Sequence, residues 1–333
     1  ISSVVNRSPT LSAEEPNSIS FVIPTRDRPQ ALARCLAGLA EQEHVERIRE
    51  VVVVDDHSAP AHALANAEVV QGSSELPVRR LELPEGLTGA AHARNLGVQA
   101  CSGDLIGFLD DDAVALPGWV VAADLTFRNH PHLAGITGRI EAFDLQHPLS
   151  RFRQSFYERR VSTEALRATS ERLAREHDVP VPDGLHLTDS LSGGNAVVRR
   201  SDLVALGGFD ASFVMMHDRE LCLRLWASRR PCAFAVDLGI SHDHTRSPRD
   251  AFWKAWRSGH YARLLREAFP NAAQAPALAP TRAVENARAL TAKQLGEGRQ
   301  RLIAVGLVLS LEWAHQAGYA ISSAAARWRG SRR

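Results

Sequence analysis

Lysine is nearly missing from this chain: Lys254 and Lys293 are the only two, and arginine supplies the rest of the 39 basic residues. The 38 acidic residues leave a formal net charge of +1, so a basic surface for nucleic acid is not expected. The arginine bias reads as the codon composition of a GC-rich genome. Cysteine is scarce as well. Cys35, Cys101, Cys222 and Cys232 show no C-x-x-C spacing, which supports neither a zinc site nor a dithiol motif and predicts reduced, buried thiols in a cytoplasmic protein. Long apolar runs are absent. Leu302 to Leu311 stops at Glu312, well short of the roughly 20 residues a bilayer requires. Residues 1 to 17 are polar, contain Pro9 and Pro16, and lack the apolar core of a signal peptide; the chain opens at Ile1, which leaves a longer N-terminus open. What is present, 44% hydrophobic and 23% charged over 333 residues, suits one large α/β unit with an appended segment.

Ile19 to Pro24 reads as a first strand. The loop Thr25-Arg26-Asp27-Arg28-Pro29 follows, then a helix in which Leu32, Leu36, Leu39 and Ala40 recur at helical spacing. The run Glu50-Val51-Val52-Val53-Val54-Asp55-Asp56 is too uniformly apolar for a half-exposed strand and is expected at the centre of a parallel sheet. Val78 to Leu83 gives a third strand, Thr88 to Cys101 a helix and Asp104 to Leu109 a fourth strand. This alternation predicts an α/β fold with a doubly wound, mainly parallel, Rossmann-like sheet. Pro117-Gly118-Trp119 closes a strand and starts a helix, and Ala134 to Ile140 is a further expected strand. Residues 145 to 186 lack a strong apolar run and are expected as helices or a loop over the site. Leu191 to Val198 returns to strand character, with Gly193-Gly194 where a ligand or another backbone comes close. His217 to Trp226 opens a helix with its acids at the N-terminal end.

Two buried strands that break into carboxylates, at Asp55-Asp56 and at Asp110-Asp111-Asp112, deliver acids to the sheet edge where open α/β folds bind ligands. Mg²⁺ or Mn²⁺ prefers hard oxygen ligands, and a diphosphate needs such an ion to neutralise its charge. Asp110 and Asp112 stand two residues apart and share one side of a strand end, as one metal requires, while Asp111 faces the other way. Solvated loops and helix N-termini also carry acidic triplets; the buried run feeding this one favours binding. His242-Asp243-His244 follows another apolar run. On a strand both rings would share a face and suit a metal, although a lone histidine in a loop is more often merely polar.

Val22 to Thr25, Val54-Asp55-Asp56-His57-Ser58, Ala93-Arg94-Asn95-Leu96-Gly97, Gly103 to Asp112, Gly193-Gly194-Asn195, Gly207-Gly208-Phe209-Asp210 and Asp218-Arg219-Glu220-Leu221 with Arg224 occur in that order. Together they resemble the family 2 glycosyltransferases of GT-A fold, over about Ile19 to Ser247. The resemblance implies an inverting enzyme that moves one sugar from a nucleotide diphospho-sugar, expected to be a UDP-sugar, to an acceptor hydroxyl with Mn²⁺ or Mg²⁺. It implies that Asp56 bonds the nucleotide base, that Thr25, Arg26 and Arg94 surround the uridine end, and that Asp110 reaches the ribose. Asp111, Gly194 and Asn195 complete the expected sugar-donor site. The expected metal ligands are Asp112 with Asp110, and His242 or His244, of which His242 aligns better. Asp218 resembles the catalytic base, with Glu220 as its alternative. Asp218 as a helix N-cap, Thr25 as a strand-end residue and Arg94 as a helix pair are the competing structural readings. The family usually has Glu before this Asp, and here it is His217. The Q-x-x-R-W motif of processive relatives is absent, which favours one sugar per encounter.

The expected divisions are a nucleotide-sugar-binding half over 18–115, an acceptor-binding and catalytic half of the same domain over 116–248, and a C-terminal helical extension over 249–333. In the extension, Phe252, Trp253, Trp256, Tyr261, Leu264, Leu265 and Phe269 lie near one helical face, with Lys254, Arg257, Arg263 and Arg266 for its rim. That face either packs on the domain or makes a peripheral contact at the inner face of a membrane, where Arg327, Arg329, Arg332 and Arg333 would favour anionic lipid. A Pro/Ala-rich linker, 272–280, follows the helix. The acceptor is open among a glycan, a lipid-linked molecule, a peptide and a natural product. Two other functions compete. A sugar-1-phosphate nucleotidyltransferase normally has a Gly-rich loop after its first strand, which Pro24 to Asp27 lacks; a catalytically silent nucleotide-sugar-binding module gains a little from His217.

Overall fold

The computed structural model describes residues 17–243, 247–270 and 299–330. Strands β1 (Ile19–Thr25), β2 (Ile48–Asp55), β3 (Val78–Glu82) and β4 (Leu105–Leu109) pair in parallel, as expected. Alternate residues of each strand feed opposite faces, because successive side chains point to opposite sides of a pleat. Ile19, Phe21, Ile23, Val51 and Val53 join α1 (Pro29–Ala40) and α4 (Trp119–Asn129) in one core. Val22, Val52, Val54, Ile106 and Phe108 join α3 (Ala90–Ala100) and α8 (His217–Ala227) in a second. Two cores explain why β2 is apolar at every position from Val51 to Val54.

The remaining strands are β5 (Ala113–Ala115), β6 (Gly135–Ala142), β7 (His186–Leu187), β8 (Asn195–Arg199) and β9 (Cys232–His242). The sheet order is β3-β2-β1-β4-β8-β6-β9-β5, with β7 also on β9; four strand pairings are parallel and four antiparallel, the parallel ones joining most of the paired residues. Strand β8 runs antiparallel to β4, with Asn195 opposite Leu109, so the Gly193-Gly194 turn stands beside Asp110. Strand β9 runs antiparallel to β5, with His242 opposite Ala113, so its last residue reaches Asp112. These two registers build the site.

Residues 145–186 resolve into helices α5 (Pro148–Arg160) and α6 (Thr163–His177), leading to β7. Helix α2 (Pro60–Gly72) had no counterpart in the sequence reading, and only Asn66 on it is buried. A short α7 (Arg200–Ala205) precedes α8. The C-terminal pair α9 (Pro248–Ala268) and α10 (Arg299–Gly330) runs side by side in one direction, Phe252 stacking on Trp313 and Arg263 reaching Ser322. Glycines set their approach. A Cβ on Gly259 would lie 1.9 Å from the His315 carbonyl oxygen, and one on Gly318 would lie 2.1 Å from that of Trp256.

The aromatic face expected on α9 is divided. Tyr261, Leu264, Leu265 and Phe269 pack on Phe213 and Leu223, while Trp253 is 52% exposed and Trp313, stacked on Phe252, 62%. Arg263, expected on the rim, is buried and pairs with Glu267. The expected linker 272–280 lies outside the described residues. Among the described residues no helix is long and apolar enough to cross a membrane. All four cysteines are buried and unpaired as disulfides, as expected.

Candidate active site

The C-terminal edge of β1, β2 and β4 gathers the acids. Asp55 is structural, since it accepts from Ser58 N–H at 2.8 Å and from Asn66 Nδ2 at 3.0 Å, which fixes the turn after β2. Asp56 accepts from Thr88 Oγ1 and Gly89 N–H, each at 3.0 Å, and the half-exposed Arg26 guanidinium stands 3.8 Å away. Asp56 and Arg26, both expected at the nucleoside end, thus stand together beyond β2.

The run Asp110 to Asp112 divides as expected. Ala113 N–H donates to the Asp110 carbonyl, so the triplet turns immediately after β4. Asp111 points inward, accepting from Thr25 Oγ1 at 2.8 Å and from Arg28 Nη1 at 3.1 Å. Thr25 is therefore a partner of Asp111. Burial pushes the Asp111 carboxyl up to about 6, with Arg28 opposing and the neighbouring carboxylates adding.

On the other side, ligand atoms of Asp110, Asp112 and His242 lie within 4.8 Å of one another. His242 Nε2 is 3.3 Å from Asp112 Oδ1 and 3.8 Å from Asp110 Oδ2. Burial alone would lower the imidazole, but the two carboxylates outweigh it and hold His242 above its usual range. Burial raises Asp112; for Asp110 burial is outweighed by His242 and Arg94, which hold it well below the carboxylate range. Two carboxylates and an imidazole facing one point, partly open to solvent, offer hard oxygen donors with one nitrogen, a set that accommodates a divalent ion such as Mn²⁺. His244 lies outside the described residues.

At the far side, Asp218 stands in the first turn of α8 without capping it; Met216 is the cap residue and caps through no side chain. Asp218 Oδ2 accepts from Gly193 N–H at 2.9 Å and Oδ1 from Arg219 N–H at 2.9 Å. Glu220, the alternative base, is instead buried and clasped at both oxygens by Arg224, at 2.6 and 2.8 Å. An acid held in that fork is not available to an acceptor. Arg94, expected near the base, belongs to the centre of the site, where it bonds Asp110 at 2.7 Å. Gly194 is needed there, since a Cβ would sit 2.6 Å from Asp110 Oδ2.

Asn195 corrects the sequence reading. Its Oδ1 accepts from Trp119 Nε1 at 2.9 Å, and its Nδ2 donates to the Arg139 and Leu238 carbonyls at 3.0 and 2.8 Å, all out of solvent. No group remains for a sugar donor. Asn195→Ala should therefore cost roughly 2–4 kcal/mol of folding stability by stranding buried partners. Thermal denaturation should show that loss, with nucleotide affinity of the folded protein unchanged; lost affinity at full stability would restore the binding role.

Several charged groups around the candidate site escaped the sequence reading. Arg28 Nη1 reaches Asp112 Oδ2 at 2.7 Å as well as Asp111, placing a cation between two acids. Arg153 from α5 and Lys254 from α9 lie within electrostatic reach of His242 and Asp112 respectively. Arg160 at the end of α5 reaches Asp189 and Asp218 in the same way. Positive charge was the signal the three arginines carried, in a chain rich in arginine, and Lys254 was read as the rim of an amphipathic helix.

An α/β sheet that brings two carboxylates and an imidazole to a strand edge, opposite an acid on a later helix, has the architecture of the GT-A fold. The family model of Glycosyl transferase family 2 matches residues 20–203, and the chain belongs to that family. It is 30% identical over 251 residues to the pre-mycofactocin glycosyltransferase of Mycobacterium tuberculosis, covering 74% of this chain and 47% of that protein. It is 22% identical over 195 residues to the glucosyl-dolichyl phosphate glucuronosyltransferase of Haloferax volcanii, covering 55% and 58%. The chain thus spans about half the length of these curated relatives. Among solved structures, the mannosyltransferase PcManGT of Pyrobaculum calidifontis, in complex with GDP-Man and Mn²⁺, shares the fold with a TM-score of 0.62 at 19% identity, covering 93% of this chain and 87% of that one. GalNAc-T7 with UDP, GalNAc and Mn²⁺ gives 0.53 at 13% identity, covering 83% and 55%.

Proposed function

We propose that this chain is a metal-dependent inverting glycosyltransferase that moves one sugar from a nucleoside diphospho-sugar, first of all a UDP-sugar, to an acceptor hydroxyl. The observation that carries the reading is the convergence of Asp110, Asp112 and His242 with Asp218, joined through the Gly193-Gly194 turn. Asp110, Asp112 and His242 would hold Mn²⁺ or Mg²⁺, and such an ion neutralises a departing diphosphate. The Mn²⁺ and the nucleotide named for the two structural relatives support this.

Each side chain then has a task. An alcohol with a pKa far above 7 needs a carboxylate within reach, and Asp218, steadied by two backbone N–H groups, takes its proton. Arg28 and Arg94 present fixed positive charge along the acid run, and Asp56 with Arg26 takes the base. Helices α5 and α6 over 148–177, with Arg160, border the acceptor side, whose occupant is a glycan, a lipid-linked molecule, a peptide or a natural product. The exposed indoles of Trp253 and Trp313 suit a peripheral membrane contact, and buried thiols suit the cytoplasm; sedimentation with anionic vesicles at low salt tests the first.

A nucleotidyltransferase is the weaker reading, because the β1–α1 loop has no glycine cradle and is tied down by Asp27 to Ser58 and Ala59. The test is a screen of nucleotide sugars with Mn²⁺ for release of the nucleoside diphosphate, followed by NMR of the glycosylated product. An α-linked sugar donor should yield a β-linked product. A retained anomeric configuration would remove Asp218 as the base, and no turnover with any sugar donor would favour a silent binding module.

A further inference from the structure

Asp110, Arg94, His217, Asp218 and the Gly193-Gly194 turn close a ring of contacts. Arg94 Nη2 donates to Asp110 Oδ1 at 2.7 Å, and Nη1 lies 2.6 Å from His217 Nε2. Asp218, next along the helix from His217, takes the Gly193 N–H, and Gly194 lies against Asp110 to complete the ring. Arg94 is 2% exposed and its Nε has no hydrogen-bond partner among the described residues. Beyond its two Nη contacts, the guanidinium lies over the Phe209 ring, 5.8 Å from the ring centroid, and against Gly193, where a Cβ would come within 3.0 Å.

The chemistry of the Arg94 contact decides the state of His217. A guanidinium offers only donors and keeps its proton, so Nε2 must present its lone pair and the imidazole must be neutral with its proton on Nδ1. That Nδ1 faces the Phe213 backbone without a well-formed hydrogen bond. Burial first, and then the charge of Arg94, hold His217 below the usual histidine range, with Asp218 and Asp110 opposing. A carboxylate at this position would cancel the charge of Arg94 and compete with Asp110 for its guanidinium. An imidazole accepts the bond and leaves the charge in place.

We propose that His217 is a positioning residue of the transfer site: as an uncharged acceptor it fixes Arg94 across Asp110, so that the helix carrying Asp218 also sets the carboxylate on the sugar-donor side. The inference rests on Asp110 being a metal ligand. Its competitor is simple packing, since the imidazole also meets Phe209 edge to face, with centroids 5.6 Å apart.

Two measurements separate them without any transfer assay. Imidazole ¹⁵N NMR of the metal-free protein at neutral pH should show His217 in the Nδ1-protonated tautomer; an imidazolium or the Nε2-protonated form would overturn the contact as drawn. Mn²⁺ titration followed by electron paramagnetic resonance should show His217→Ala binding about 10-fold more weakly and His217→Gln, whose amide oxygen can accept from Arg94, recovering to within about 3-fold of wild type. Lower melting temperatures in both variants with unchanged Mn²⁺ affinity of the folded protein would leave packing alone and overturn the proposal. Failure of every sugar donor to turn over would count against the transferase reading and not against this ring. A wild-type protein that binds no Mn²⁺ would remove the ligand role of Asp110, and with it the positioning role of His217.

Discussion

Asp218→Asn is expected to bind nucleotide and metal as the parent does and to lose transfer by about 10²-fold or more. The substitution keeps the shape and the carbonyl oxygen that can accept from Gly193 N–H, but removes the only lone pairs basic enough to take an alcohol proton. It also places an amide N–H₂ against the Arg219 N–H or exchanges the two, a local cost that leaves the fold intact. Single-turnover rates with saturating nucleotide sugar measure the effect. Near-normal turnover would require another base, and Glu220 is an unpromising one because Arg224 holds both its oxygens.

Asp112→Ala should abolish metal-dependent nucleotide binding. Outer-shell partners of a metal ligand already cost about 10–100-fold when removed, so loss of a direct ligand should exceed that. Calorimetry with UDP and Mn²⁺ checks it; parental affinity in the variant, or metal-independent binding in the parent, would overturn the assignment. Stability provides the control. Burial and the nearby Asp110 both raise the Asp112 carboxyl, so its charge is a burden in the metal-free state, and the variant should melt no lower than the parent. A large loss of melting temperature would instead point to Arg28, which would be left with Asp111 as its acid partner.

The strands were legible because both faces of this sheet are covered, which turns β2 and β4 into unbroken apolar runs. Helix α2 was not, since an alanine-rich helix that buries only Asn66 has no apolar stripe to detect. At the site, the order of motifs located positions but not directions. Asp111 turned inward as its place between Asp110 and Asp112 suggested, yet Asn195 sits one residue past Gly194 and faces wholly into the core. The sequence reading kept Glu220 as the alternative base, and the i, i+4 ion pair with Arg224 that occupies it emerges only from the structure. Arg28, Arg153 and Lys254 come from a loop and two helices whose meeting is set by tertiary packing, for which local sequence carries no signal.

The proposed ligand set of Asp110, Asp112 and His242 joins the end of β4 to the last residue of β9, two points separated by about two fifths of the chain. An ion held by all three is a cross-link, closing a long loop that the parallel strands β1 to β4 do not need for their own pairing. It therefore binds the completed sheet and not a chain in which β9 is still undocked, and at about 100 times its dissociation constant would add about 2.7 kcal/mol to the folded state. On the proposed site, metal supply would thus act as a proofreader of assembly, favouring those molecules whose two halves have already met.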